Sequence, residues 1–197
     1  MYYKKVPMKR FNNYIYSVVF LFSCSQKKSE FPIINISTNY GNIQAELYPA
    51  NAPKTVAAFL SYIDKDFYKN ITFYRVLKDD EMPTDNNSGL IQGGLWPNLK
   101  VVPGIEHEST KQSGLTHTDG TLSMARTGVG SATTEFFICI GDQTNLDLGR
   151  GGTKDSLGFA AFGKVTHGMS IIRKIQATKS NGDQFMEKIK IKEIQKN

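Results

Sequence analysis

From residue 31 onward, short stretches in which apolar and polar residues alternate follow one another along the chain, a pattern typical of β-strands. The first two stretches lie on either side of Asn39-Tyr40-Gly41-Asn42, whose turn-forming residues predict a hairpin. Further strands are predicted at 71–77, 90–92, 121–124, 136–140, 159–165 and in a final segment that contains Ile189 and Ile191. Strict alternation over the first of these places Ile71, Phe73 and Arg75 on one face of the strand.

Helical spacing occurs in two places, one near each end of this region. Pro53 opens a segment in which Val56, Phe59 and Ile63 recur at helical intervals, and proline is well tolerated in the first turn of a helix. Residues 168–175 form the second predicted helix, with three isoleucines on one side. Many short strands with two helices predict a mainly β fold with a closed sheet, because closure leaves no edge strands exposed.

The first 23 residues differ in composition from everything that follows. Four basic residues lie within the first ten positions, and without them the net charge of +6 falls to +2. The positive net charge therefore does not indicate a nucleic-acid partner. The apolar stretch at 14–22 is too short to cross a hydrocarbon core of about 30 Å, so a transmembrane helix is the weaker interpretation.

This apolar stretch ends in Leu21-Phe22-Ser23-Cys24, which resembles the lipobox of bacterial lipoproteins. The resemblance implies a signal peptide over residues 1–23, cleaved before Cys24, whose side chain would carry the lipid. Residues 24–30 would then be a polar tether and residues 31–197 the folded domain, anchored to a membrane of the bacterial cell envelope and facing the periplasm. A plain cleaved signal peptide and an uncleaved anchor remain the alternatives.

The cysteines and histidines predict no metal site. Cys139 lies in the apolar stretch Phe136-Phe137-Ile138-Cys139-Ile140, where a free cysteine behaves as a small buried hydrophobic residue. His107, His117 and His167 lack partners at the spacing of metal ligands. The sequence also contains no nucleophile elbow that would indicate a serine hydrolase.

Five segments with distinctive residues follow one another in a fixed order. They are Phe73-Tyr74-Arg75, Ile91-Gln92-Gly93-Gly94, Leu122-Ser123-Met124-Ala125-Arg126, Glu135-Phe136-Phe137-Ile138, and Ala161-Phe162-Gly163-Lys164-Val165 before Gly168-Met169. Their order and spacing resemble those of the cyclophilins, a family of peptidyl-prolyl cis-trans isomerases, over about residues 32–194. The resemblance implies an eight-stranded antiparallel β-barrel capped by two α-helices, isomerase activity on proline-containing polypeptides, and no cofactor. Nothing in the sequence argues against a monomer.

Prolyl isomerisation favours a fixed cationic donor as catalyst. Rotation about a peptide bond meets a barrier of about 18–20 kcal/mol, because resonance gives the C–N bond partial double-bond character. In the twisted transition state the prolyl nitrogen keeps its lone pair, so a guanidinium that donates to this nitrogen stabilises the twisted state selectively. Arg75 is the candidate for this catalytic role, and the resemblance implies that Gln92 orients Arg75 and reaches the substrate carbonyl.

A single arginine is not sufficient. An acceleration of about 10⁵ corresponds to about 7 kcal/mol, whereas one charged hydrogen bond contributes about 1.5–3 kcal/mol. An apolar pocket must contribute too, because the planar amide is the more dipolar form and loses more when water is excluded. The resemblance implies a pocket for the proline ring, lined by Leu90, Phe137 and Leu146, and further substrate contacts at Phe73, Met124, Ala125, Arg126, Glu135 and Phe159. Of these, Ala125 and Arg126 would bind the peptide main chain. Taken without the resemblance, the three pocket residues would be interpreted as barrel core.

Three positions depart from the better-known family pattern. Glu135 replaces a common glutamine, and its carboxylate either holds Arg75 in place or competes with the substrate nitrogen for its donors. Gly89 stands where the family has an aromatic residue, so the polar loop at 78–88, with Met82, is a candidate for the missing pocket wall. Asn145 occupies the position of a tryptophan in cyclosporin-sensitive members, which predicts weak cyclosporin binding.

The sequence alone leaves two other functions as alternatives. The first is a module that binds proline-containing segments with little turnover, as a scaffold or chaperone, and Glu135 and Gly89 favour it. The second is a barrel that encloses a small ligand, which the apolar inward positions of the strands disfavour.

Overall fold

The computed structural model describes residues 1–2, 31–78, 88–96 and 102–197. The predicted signal peptide beyond its first two residues, Cys24 and the tether lie outside these ranges, as does most of the loop at 78–88 with Met82.

Eight strands close into an antiparallel barrel, which confirms the mainly β fold and the strand number. Around the barrel they follow the order β1 (Ile33–Thr38), β2 (Gly41–Leu47), β7 (Ala160–His167), β5 (Thr121–Met124), β6 (Phe136–Ile140), β4 (Gly89–Gly94), β3 (Ile71–Lys78) and β9 (Gln184–Lys196). Pairing of β1 with β9 closes the barrel. The two-residue β8 (Ser180–Asn181) lies outside it and forms a hairpin with the start of β9. Because of this hairpin, β9 begins well before the predicted last strand.

The two predicted helices are α1 (Pro53–Asp64) and α3 (Met169–Gln176), and the short α2 (Thr110–Ser113) and a 3₁₀ turn at Thr144–Leu146 are additional. Ala52, which precedes α1, offers no capping side chain. The buried carboxylate of Glu108 takes over this task and accepts the N–H groups of Lys54 at 3.0 Å and Thr55 at 2.8 Å. Within the described ranges, no helix is both long and apolar enough to cross a bilayer.

The barrel interior is filled by alternate residues of the strands and by a group of aromatic rings. The ring centroid of Phe59, from α1, lies 4.9 Å from those of Tyr68 and Phe162 and 5.6 Å from that of Phe136. These rings are almost completely buried, so helix α1 is fixed against the barrel core. The filled interior argues against a barrel that encloses a small ligand.

Candidate active site

A groove of about 550 Å³ runs along the outer surface of the barrel over β3, β4 and β6. Nine of the predicted site residues line it: Arg75, Leu90, Gln92, Ala125, Arg126, Glu135, Phe137, Leu146 and Phe159. Residues that the sequence did not indicate also line it, among them Tyr74, Leu77 and Trp96. Charged and hydrogen-bonding groups and a cluster of apolar side chains thus share one surface.

Arg75 reaches this groove because strand β3 contains a β-bulge. Phe73 pairs with Gly93 and Arg75 with Gln92, which leaves Tyr74 as an extra residue on β3. The bulge shifts the alternation, so Phe73 and Val76 point into the core while Tyr74 and Arg75 both line the groove. The predicted shared face of Phe73 and Arg75 is therefore wrong.

The guanidinium of Arg75 is held from two sides. Its Nη1 donates to Gln92 Oε1 at 3.1 Å, the contact expected of Gln92. Its Nε donates to Asp183 Oδ2 at 2.7 Å, and this hydrogen bond lowers the pKa of Asp183. Sequence reasoning missed Asp183, because it is 108 residues away and lies in the turn between β8 and β9. These contacts use two of the five N–H donors of a guanidinium.

Glu135 does not contact Arg75 through its carboxylate in either of the predicted ways; its oxygens accept other donors. Oε2 accepts the hydroxyl of Tyr74 at 2.7 Å, and Oε1 accepts the backbone N–H of Trp96 at 3.1 Å and the hydroxyl of Thr134 at 3.3 Å. Burial raises the pKa of Glu135, although the hydrogen bond from Tyr74 opposes this shift. Burial and the neighbouring carboxylate also raise the pKa of Tyr74.

The apolar part of the groove is a separate cluster outside the main core. Leu90, Phe137 and Leu146 pack around Cys139 and are at most 8% exposed. The ring of Phe159 meets that of Phe137 edge-on, with centroids 5.2 Å apart. The barrel-core alternative therefore does not describe these residues, which form an apolar depression beside Arg75.

For Phe73 and Met124 the structure corrects the prediction of substrate contact. Both side chains belong to the main core and are at most 1% exposed. Phe73 points inward ahead of the bulge, and Met124 pairs on β5 with the inward-facing Phe136 of β6. Neither side chain lines the groove.

Arg126 is tied into the wall of the groove. Its Nη1 and Nη2 donate to the carboxylate of Asp155 at 2.7 and 2.8 Å, and its Nε donates to the carbonyl of Gly158 at 2.9 Å. The guanidinium carbon lies 5.5 Å from the ring centroid of Phe159, a cation–π arrangement. Since this side chain is only 4% exposed, it forms a fixed part of the wall of the groove.

A buried hydrogen-bonded series lies behind the apolar depression. His117 Nδ1 lies 2.6 Å from Asp147 Oδ1, and its Nε2 lies 2.9 Å from Ser123 Oγ. His117 and Ser123 are fully buried, so this serine hydroxyl is inaccessible to a substrate and the series is structural. The His117 ring stacks on Phe137 with centroids 6.0 Å apart, and Asp147 directly follows Leu146, so the series supports two pocket residues.

Two glycines determine which side chains reach the groove. Gly89 has a φ of +128°, and any side chain there would overlap the carbonyl of Leu77. The family's aromatic residue has no room at this position, and Leu77, which is 37% exposed, lines the groove nearby. Gly94 has a φ of +151°, and a side chain there would occupy the space of the Glu135 carboxylate.

Comparisons of the sequence with known proteins agree with this geometry. The family profile described as Cyclophilin type peptidyl-prolyl cis-trans isomerase/CLD matches residues 33–196. A peptidyl-prolyl cis-trans isomerase of Acinetobacter baylyi is 37% identical over 147 residues, which cover 73% of this chain and 71% of the relative. Peptidyl-prolyl cis-trans isomerase B of Escherichia coli is 34% identical over 152 residues, covering 73% of this chain and 84% of the relative.

Solved structures share the fold. A crystal structure of a cyclophilin type peptidyl-prolyl cis-trans isomerase of Cryptosporidium parvum superimposes with a TM-score of 0.68 at 24% identity, covering 85% of this chain and 98% of that one. The structure of the same protein in the presence of the dipeptide Ala-Pro gives a TM-score of 0.65 at 23% identity, with 82% and 96% covered. Because the profile spans nearly the whole described domain and the relatives match most of it, the chain belongs to the cyclophilin-type peptidyl-prolyl cis-trans isomerases.

Proposed function

We propose that this isomerase accelerates X-Pro isomerisation in exported proteins and that Arg75 stabilises the twisted amide. The observation that supports the catalytic part is the position of Arg75, which is held by Gln92 and Asp183 beside an apolar depression. Two of its donors are used by these neighbours, and the others are available to a ligand in the groove.

The proline ring of the substrate would occupy the depression formed by Leu90, Phe137 and Leu146. This surface excludes water from the amide, which disfavours the dipolar planar form more than the twisted form. As the amide twists, the prolyl nitrogen becomes pyramidal and accepts a hydrogen bond from Arg75, which the planar nitrogen cannot do. No bond is made or broken, so no cofactor is required. The related protein from Cryptosporidium parvum was crystallised in the presence of Ala-Pro, and we propose the same kind of ligand here.

Exchange kinetics on short Ala-Pro peptides, measured by NMR, test this function. Loss of one charged hydrogen bond in the transition state predicts that Arg75→Ala lowers kcat/KM by about 10- to 150-fold. Arg173→Ala is the matched control, since Arg173 also pairs with an aspartate, Asp119, and its side chain is 37% exposed against 35% for Arg75. A wild-type protein with no rate above background would instead support the proline-binding scaffold or chaperone. Glu135 no longer favours that alternative, because its carboxylate bonds to Tyr74.

The location in the cell envelope is proposed from the leader alone. A basic segment, a short apolar stretch and Leu21-Phe22-Ser23-Cys24 support export and lipidation at Cys24. Cys24→Ser should then abolish processing by signal peptidase II and release the protein from the membrane fraction. Unchanged fractionation of this variant would contradict the lipid anchor. We also propose that the domain acts as a monomer, which sedimentation of the purified domain would test.

A further inference from the structure

A continuous series of hydrogen bonds leads from the carboxylate of Glu135 to the guanidinium of Arg75. The hydroxyl of Tyr74 donates to Glu135 Oε2 at 2.7 Å and accepts Gln92 Nε2 at 2.8 Å. The other end of the same amide, Gln92 Oε1, accepts Arg75 Nη1 at 3.1 Å. Glu135 is thus connected to Arg75 through two intervening side chains.

The chemistry of the two ends fixes the direction of every bond in the series. An ionised carboxylate only accepts hydrogen bonds, so Tyr74 must donate to Glu135. The hydroxyl oxygen of Tyr74 is then free to accept the amide NH₂ of Gln92, which turns the amide oxygen toward Arg75. A guanidinium only donates, so this orientation of Gln92 is the one that Arg75 requires. The donor-only and acceptor-only ends therefore stabilise the same arrangement.

A glutamine at position 135 cannot support this arrangement. Its NH₂ group must face either the backbone N–H of Trp96 or the hydroxyl of Tyr74, and the backbone donor cannot reverse. If the NH₂ group faces Tyr74, the hydroxyl oxygen of Tyr74 receives donors from both amides, that of residue 135 and that of Gln92. The hydroxyl hydrogen of Tyr74 then has no acceptor, because the carboxylate oxygen that accepted it is gone. Rotating the Gln92 amide to accept that hydrogen would direct its NH₂ at Arg75, so two donors would face each other.

We propose that Glu135 is a positioning residue, which acts through Tyr74 and Gln92 to hold the guanidinium of Arg75 in its catalytic orientation. This inference rests on the role proposed above for Arg75. Of the two effects predicted for the carboxylate, it selects the one that holds Arg75 in place. It also gives Tyr74 a function that the sequence did not indicate. The room for this carboxylate is provided by Gly94, where a side chain would displace it.

The first test is a mutant cycle measured by NMR exchange on Ala-Pro peptides. Glu135→Gln and Tyr74→Phe should each lower kcat by about 2- to 10-fold, the range expected for one hydrogen bond, and leave KM nearly unchanged. The double variant should be no slower than Glu135→Gln alone, because both changes interrupt the same series. Thr134→Val is the matched control: it removes another hydrogen bond to the same carboxylate, outside the path to Gln92, and should keep the wild-type kcat.

The second test compares the pH dependence of kcat in the wild type and in Glu135→Gln. Protonation turns the Glu135 carboxyl into a donor, so wild-type kcat should fall as the pH decreases through its raised pKa, and Glu135→Gln should lack this decrease. Tyr74 and Tyr68, which also face Glu135, have raised pKa values and stay neutral there. Asp183, on the far side of Arg75, has a lowered pKa and titrates at more acidic pH.

The outcomes separate this inference from the function on which it rests. If Arg75→Ala were as active as the wild type, the proposed role of Arg75 would fail, and the inference with it. If Arg75→Ala were impaired while Glu135→Gln and Tyr74→Phe kept the wild-type kcat, only the inference would be overturned. A Glu135→Gln variant faster than the wild type would also overturn it, because the carboxylate would then restrain catalysis.

Discussion

Asp183→Ala tests whether the position of Arg75 depends on the hairpin between β8 and β9. Asp183 follows Gly182, whose φ of +55° suits the first position of a tight two-residue turn. The backbone carbonyl of Asp183 accepts the N–H of Val76 at 2.9 Å, which docks the turn onto β3. An alanine keeps this backbone bond and removes the 2.7 Å contact to Arg75 Nε. The substitution therefore changes one support of Arg75 and leaves the hairpin in place.

The expected magnitude follows from the exposure of the pair. The side chains of Arg75 and Asp183 are 35% and 45% exposed, so solvent screens their attraction. Such pairs contribute about 0.2–1 kcal/mol, and the same free energy lost in the transition state corresponds to a decrease in kcat of about 1.4- to 5-fold. Global stability should fall by less than about 1 kcal/mol, or about 2–4 °C in Tm.

NMR exchange on Ala-Pro peptides, together with the Arg75 Nε–H resonance, would measure this effect. Asp183→Asn keeps an acceptor and should lose less activity than Asp183→Ala. Asp64→Ala is the control, since Asp64 forms an exposed ion pair with Lys196 at the far end of β9. A wild-type kcat in Asp183→Ala, with Arg75→Ala strongly impaired, would refute the reasoning. A higher kcat would show that Asp183 competes with the substrate nitrogen for Arg75.

Three further predictions concern stability and inhibitor binding. Burial holds the pKa of His117 below 6.5, so on acidification the unfolded chain gains a proton there before the folded chain does. The free energy of unfolding should therefore fall below about pH 6.5. Urea titrations should show a weaker pH dependence of this free energy for His117→Asn. Buried Gln176 donates to the carbonyls of Leu77 at 3.0 Å and Ser88 at 2.9 Å. Gln176→Leu should lower the free energy of unfolding in urea by about 1–3 kcal/mol, because these carbonyls lose their donor. Cyclosporin should bind weakly, since the family resemblance places Asn145 where cyclosporin-sensitive members carry a tryptophan; submicromolar inhibition of the purified domain would contradict this.

The barrel was predictable because most of its strands are buried on one face. In β1 and β2, Ile34, Ile36 and Ile43 are fully buried while the residues between them are not, and the sequence shows this alternation directly. The elements that were missed are too short to produce a period: α2 has four residues and β8 has two. Their positions depend on tertiary contacts such as the hairpin with β9, which no local pattern reports.

The site was only partly predictable, for two different reasons. Gln92 and Phe137 could be assigned because they lie in segments that resemble family motifs, and the structure places both in the groove. Asp183 could not be assigned, because it is 108 residues away from Arg75 in the sequence. The two residues meet only when the hairpin packs against β3. Tyr74 stands within a recognised motif, but its contact with Glu135 depends on two strands that come together in the folded barrel.

The bulge in β3 is the feature on which the whole site depends. In a regular strand, Tyr74 and Arg75 would point to opposite faces, and Arg75 would share the face of Phe73 inside the barrel. A buried guanidinium without a partner is very costly, so an arginine in phase with two core residues already conflicts with a regular strand. The extra residue removes this conflict and brings the Tyr74 hydroxyl and the Arg75 guanidinium to the same groove. Without it, Gln92 could not bond to both, and Glu135 would have no path to Arg75.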